Sequence, residues 1–201
     1  SEPPDAHHDH VAWSPMSAGA VLSPGPTAPV RPPARVLLVI RDQSVRMNDG
    51  DTHLPADTSP GRVALAVSDL DRQVEFYRDV VGLDVTARGD DRVTLGTPAE
   101  PLLELLADPD APDRTETETG LYHVAFLFPS RGALGDVLRR VRERWRLTGA
   151  SDHGVSEALY LTDPEGNGVE LYRDRPRGDW PVTEDGRVRM GVDPLDIDAI
   201  T

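Results

Sequence analysis

At 201 residues the chain can hold one well-buried domain or two small ones, and its apolar content of 38% is ordinary for a globular protein. There is no cysteine, which excludes disulfides, thiolate metal sites and cysteine nucleophiles. The formal net charge is −14 and all 21 basic side chains are arginine, a balance that repels phosphate backbones and argues against nucleic-acid binding.

The excess of Asp and Glu also predicts a halophilic protein, because high salt screens the self-repulsion of an acidic surface. No apolar run is long enough to cross a bilayer, and the longest candidate, residues 36–40, is strand-sized. No basic segment followed by an apolar one marks a secretory leader, so a cytoplasmic protein is expected.

Residues 1–60 read as a disordered N-terminal extension, rich in Pro, Ala, Ser and His without periodicity. The cluster His7, His8 and His10 falls in it and reads as a floppy tract. From residue 61 the pattern changes. Val63, Leu65 and Val67 alternate with Ala64, Ala66 and Ser68, which predicts a strand with two different faces. Ser68 or Asp69 then caps a helix whose apolar stripe is Leu70, Val74, Tyr77 and Val81, ended by Gly82. Short strands are expected at 84–87, 92–95 and 102–107, and a polar loop at 108–119. The same order recurs about 60 residues later: a strand at 122–128, then a helix capped by Ser130 with the stripe Leu134, Val137, Leu138, Val141 and Trp145. Strands follow near 147–150, 158–162 and 169–172, with a tight turn at 163–168. Residues 176–201 read as a charged, Pro-rich tail or linker. The fold class is therefore α+β: two βαβββ units, 61–107 and 121–175, forming a curved mixed sheet around a cavity.

Strand alternation sorts the side chains by face. One face is large and aliphatic or aromatic and packs the helices. The other mixes small residues with Arg62, Glu104, His123, Tyr160 and Glu170. Charged groups in mid-strand need partners where buried, and small neighbours leave room for a ligand. Two carboxylates and an imidazole suit a divalent cation of the Fe, Mn, Ni or Zn type, and match the facial arrangement that leaves open positions for substrate.

Two stretches carry a family resemblance: RVALAVSDL at 62–70 followed by FYRDVVGL at 76–83, and DPEGNGVELY at 163–172. They resemble the opening and closing motifs of the vicinal oxygen chelate superfamily, which includes glyoxalase I, extradiol ring-cleaving dioxygenases and bleomycin-resistance proteins. GLYH at 120–123 and SDHGVSEALY at 151–160 are similar to the first domain of catechol 2,3-dioxygenase-like members. The resemblance covers about residues 61–180. It implies metal-ligand positions at 62, 104, 123 and 170. Three of these carry ligand types, Glu104, His123 and Glu170. Arg62 has no free lone pair at neutral pH, which leaves three-ligand binding, no metal, or an arginine that holds an anionic substrate.

The resemblance further implies that His153 acts as acid or base and that Tyr160 donates a hydrogen bond to developing charge. The expected protein is a ring-cleaving dioxygenase-like enzyme with a divalent metal, Fe(II) first and Mn, Ni or Zn as alternatives. It would act on a small substrate with vicinal oxygens. A glyoxalase-type lyase or isomerase and a metal-free small-molecule-binding protein are the other readings. Family dioxygenases have two such domains, so pairing with a second copy, as a homodimer, is also expected.

Overall fold

The computed structural model describes residues 61–111 and 121–200, and the backbone of a two-residue strand, β1 (Leu37–Leu38). The rest of residues 1–60, with the expected disorder and the histidine cluster, lies outside the described residues, as do residues 112–120. β1 nevertheless falls within the expected extension and lies antiparallel to the first strand of the repeat.

The first repeat runs β2 (Val63–Val67), α1 (Leu70–Phe76) with an added π-helical turn (Tyr77–Val81), β3 (Asp84–Arg88), β4 (Arg92–Gly96) and β5 (Pro101–Ala107). The second runs β6 (His123–Leu127), α2 (Arg131–Arg144), β7 (Gly149–Asp152), β8 (Ser156–Thr162) and β9 (Gly168–Asp174). Each repeat builds its own mixed sheet, ordered β1-β2-β5-β4-β3 and β10-β7-β8-β9-β6, where β10 is Asp193–Pro194. In both, the first and last strands of the repeat lie side by side and parallel, β2 with β5 and β6 with β9. That pairing brings residues 40 positions apart in the first repeat (Val63 and Leu103) and 45 apart in the second (His123 and Gly168) onto adjacent strands. The α+β class and the duplicated unit are those expected from the sequence.

Helix starts follow the capping rules. Asp69 accepts the N–H of Arg72 at 3.0 Å, and Ser130 accepts that of Ala133 at 3.1 Å. The first helix widens into its π turn and stops at Gly82, whose φ of 94° suits glycine alone. Its last carbonyls are satisfied from the other repeat: Arg140 on α2 donates to Val80 O at 3.3 Å and Val81 O at 3.0 Å.

The aliphatic strand faces pack both helices into one core. Leu65, Leu95, Leu103 and Leu105 come from the first sheet, and Leu159, Leu161, Val169 and Leu171 from the second. Edge-to-face contacts of Phe76 with Trp145, and of Tyr77 with Phe126, join the halves. Cutting a leucine buried in such a core to alanine costs about 2–5 kcal/mol. A polar clasp adds to this. Glu165, in the turn after β8, accepts both backbone N–H groups and the hydroxyl at Ser68–Asp69, at 2.9–3.1 Å. Tyr77 donates to the buried Asp163 at 3.2 Å. Burial pushes the Asp163 carboxyl up, although Asn167 and Glu165 donate to it.

The residues after 175, read from the sequence as a tail or linker, are instead packed. Ile200 is 7% exposed and lies in the core, with Leu195 and Ile197 against it. Arg131 donates to Ala199 O at 2.7 Å, and Arg142 pairs with Asp198 at 2.7 Å. A side chain at Gly135 on α2 would strike the Ile200 carbonyl. The tail carries few apolar residues at irregular spacing, so no period announced its docking. Among the described residues, no helix is long and apolar enough to cross a membrane.

Candidate functional site

The parallel pairing of first and last strands sets the open faces. On the first sheet it places Ala64 opposite Glu104 and leaves Arg62 just beyond the strand's start. Glu104 is 7% exposed. Its carboxylate lies 3.2 Å from Arg92 on the neighbouring strand and 3.8 Å from Arg62. A buried carboxylate so placed is neutralised by cations, and Arg62 stands as a partner of Glu104.

The second sheet uses the same pairing differently. His123 opens β6, and Glu170 sits in mid-β9, opposite Ala125. His123 Nε2 lies 2.8 Å from Glu170 Oε2. Gly168 is the strand neighbour of His123, and a Cβ there would strike the Tyr122 carbonyl, so glycine permits the close approach of these two strands. Tyr160, opposite Glu170 on β8, donates to Glu170 Oε1 at 3.2 Å. Its hydroxyl also lies 2.8 Å from His153 Nε2. His153 stands in the tight β7–β8 turn, where Gly154 takes a φ of 74° and the His153 N–H reaches Ser156 O at 2.9 Å.

The result is a path of polar contacts: His123 lies at ion-pair distance from Glu170, and hydrogen bonds continue from Glu170 to Tyr160 and from Tyr160 to His153. Burial, followed by the charge and hydrogen bond of Glu170, pushes the Tyr160 phenol up to about 12, so it stays protonated and able to donate at neutral pH. Beside the path is a cavity of about 200 Å³, lined by His123, Thr148, Tyr160, Thr162 and Val169 among others. That is below the roughly 300 Å³ at which drug-sized pockets begin, and suits one small ring or chain.

The structure thus brings together four of the residues singled out from the sequence, His123, Glu170, Tyr160 and His153, and sets Arg62 with Glu104 in a second group. Among the described residues, no three His, Asp or Glu side chains gather closely enough to hold a metal ion. The three-ligand set of Glu104, His123 and Glu170 is therefore not assembled among the described residues: Glu104 stands on the first sheet beside Arg92 and Arg62, His123 and Glu170 on the second. His123 and Glu170 are the right donor types for a borderline divalent ion, and they supply two ligands where a facial set uses three.

Two features went unread in the sequence. Glu157 shares strand parity with Leu159 and Leu161, which places it on the core face, and it is 2% exposed. It is held by Arg173 at 2.7 Å, Arg131 at 3.1 Å and Arg175 at 3.3 Å. Parity was the signal, since Arg173 shares the face of Val169 and Leu171 and lies directly across from Glu157. The other is Gly191, whose backbone contacts His153. No pattern in the sequence points to it.

Comparison with known proteins agrees with this architecture. Residues 59–171 match the model of the Glyoxalase/Bleomycin resistance protein/Dioxygenase superfamily. The chain is 39% identical over 153 residues to a catechol-2,3-dioxygenase of Bacillus subtilis (strain 168), covering 74% of this chain and 53% of that protein. It is 34% identical over 114 residues to biphenyl-2,3-diol 1,2-dioxygenase 3 of Rhodococcus globerulus, covering 55% of this chain and 60% of the relative. The chain thus spans little more than half the length of these relatives. A crystal structure of a glyoxalase/dioxygenase from Nostoc punctiforme matches 57% of this chain and 90% of its own, at 20% identity and a TM-score of 0.51. A glyoxylase/bleomycin resistance protein/dioxygenase domain from Frankia sp. EAN1pec matches 57% and 95%, at 21% identity and a TM-score of 0.50. The duplicated βαβββ unit, its two parallel strand pairs and a family match over more than half of the chain lead to one assignment: this chain belongs to the glyoxalase/bleomycin resistance protein/dioxygenase superfamily.

Proposed function

We propose that this chain is a metal-dependent, ring-cleaving dioxygenase-like enzyme acting on a small substrate with vicinal oxygens. The observation that carries the proposal is the path from His123 through Glu170 and Tyr160 to His153 on one open sheet face. Two relatives named as dioxygenases, of catechol and of biphenyl-2,3-diol, support it, and the small cavity beside His123 suits a single ring.

In this reading His123 and Glu170 hold the ion. The donor set accepts Fe(II), with Mn, Ni or Zn as alternatives. A bound divalent ion would act as a Lewis acid on the substrate's oxygens. The Tyr160 hydroxyl, which donates to Glu170, would orient that carboxylate as a ligand. Tyr160 keeps its proton and presents a donor to charge developing on the substrate. His153 takes up and returns a proton at Nε2, the atom that meets Tyr160. The two ligands of this chain leave one position of a facial set to fill; were a second copy to fill it in a homodimer, metal binding and dimer formation would rise together.

A second reading has one observation in its favour. Arg62 and Arg92 already neutralise Glu104, and a metal-free binding pocket for an anionic molecule would use such an arginine-lined face.

Oxygen uptake by the metal-loaded full chain with a catechol tests the proposal. The expected result is turnover that His123→Ala and Glu170→Ala each abolish. Anaerobic turnover of a hemithioacetal would replace it with the glyoxalase-type alternative. Tight binding of a small anion by protein stripped of metal, without turnover, would favour the second reading.

A further inference from the structure

We infer that the C-terminal segment, through the backbone carbonyl of Gly191, is the positioning group that fixes His153 as a base at Nε2. After β9 the chain makes a short 3₁₀ turn (Arg177–Asp179) and a small hairpin closed by Val182 and Val188, then runs back across the β7–β8 turn. There Gly191 meets His153 at two points. Its N–H donates to the His153 carbonyl at 3.1 Å, and its own carbonyl lies 2.7 Å from His153 Nδ1. Two residues later, β10 pairs with Asp152 and Ser151, the strand residues that precede His153.

The segment is anchored on both sides of this contact. Upstream, the Arg189 N–H donates to Pro181 O at 2.8 Å. Pro181 also packs on Gly154, where any Cβ would come within 2.9 Å of its ring. Downstream, Ile200 is buried on α2 and Ala199 O is held by Arg131. Gly191 is thus registered on His153 by elements that do not themselves belong to the site.

A carbonyl oxygen only accepts hydrogen bonds. A contact of 2.7 Å with it requires a proton on Nδ1, and the neutral imidazole then carries its lone pair on Nε2. That lone pair faces the Tyr160 hydroxyl at 2.8 Å. The hydroxyl has one proton and two acceptors, His153 Nε2 and Glu170 Oε1. With His153 neutral, the hydroxyl turns its proton from Glu170 to Nε2. When His153 gains a proton at Nε2, it donates to the Tyr160 oxygen, and the hydroxyl turns its own proton to Glu170. The segment sets the direction of the path: a proton enters His153 at Nε2, and Nδ1 is closed to exchange. The opposite tautomer would point a proton at Tyr160 from the start and leave the Gly191 carbonyl facing a lone pair.

The use of this arrangement in turnover rests on the proposed function, whereas the tautomer itself does not. The test is ¹⁵N–¹H correlation of the imidazoles in the ¹⁵N-labelled full chain, with the His153 signals identified by their loss in His153→Gln. The expected result is that the neutral form of His153 carries its proton at Nδ1. In Gly191→Pro, which deletes the N–H that registers the segment, and in a variant with one glycine inserted after Arg189, the excess of that tautomer should fall about tenfold, the worth of one hydrogen bond. A wild-type His153 protonated at Nε2 overturns the inference, as does an unchanged tautomer ratio in both variants. If neither variant folds, the wild-type tautomer decides alone. An Nδ1-protonated His153 in a chain that never turns over a catechol would end the functional proposal and leave this inference standing.

Discussion

On the first repeat's open face, Glu104 is closed in by two arginines; on the second, Glu170 is met by an imidazole and a phenol. The same strand pairing produced both, so topology decided which positions face each other and side-chain chemistry decided what they became. The buried polar groups differ in the same sense. In the second repeat Glu157 is surrounded by three arginines. In the first, Gln73 on α1 is fully buried, and neither its amide oxygen nor its nitrogen has a hydrogen-bond partner. Two repeats of one topology thus carry different polar groups on equivalent strand pairs.

The largest test of this contrast is Glu157→Leu. Removing one member of a buried charge group leaves the others uncompensated, so unfolding by denaturant should show a loss of about 3–5 kcal/mol. A loss under about 1 kcal/mol would mean that the cluster is dispensable. The pH dependence has a definite sign. Burial pushes the Glu157 carboxyl up, but Arg173 and Arg131 outweigh it and hold it below its ordinary value. Its contribution is therefore present above the unfolded pKa and lost as pH falls through the lower folded value. Glu157→Gln should flatten that part of an acid melting series. Asp163 has the opposite sign: its raised folded value gives stability at acid pH that disappears as pH rises through it.

Gln73→Met should move the first repeat the other way. Replacing a buried, unpaired amide by an apolar side chain of similar size should raise stability by about 1–3 kcal/mol. A decrease would mean that Gln73 holds a partner in solution. Arg62→Ala should have the smallest effect. Its side chain is 37% exposed and 3.8 Å from Glu104, and Arg92 stays in place, so the melting point should shift by less than about 1 kcal/mol in free-energy terms.

Much of this was legible in the sequence. Alternation placed His123, Tyr160 and Glu170 on one face, and the capping residues Asp69 and Ser130 marked both helix starts. Two kinds of feature were not legible. Long-range polar clasps leave no local period: Glu165 reads as a turn residue, yet its carboxylate meets Ser68, 97 positions away. Backbone contacts leave none either, and Gly191 acts on His153 through its carbonyl and N–H. Glu104 had the right parity, but parity cannot report that Arg92, diagonally placed on the neighbouring strand, would occupy its carboxylate.

The central claim is that the second repeat's histidine and glutamate hold a divalent ion. The direct measurement is metal content of the full chain after loading with Fe(II), Mn, Ni or Zn and removal of the excess, compared between wild type, His123→Ala and Glu170→Ala. The account predicts bound metal in the wild type and none in either variant. Stoichiometric metal in both variants, or a wild type that never retains any of the four ions, would contradict it.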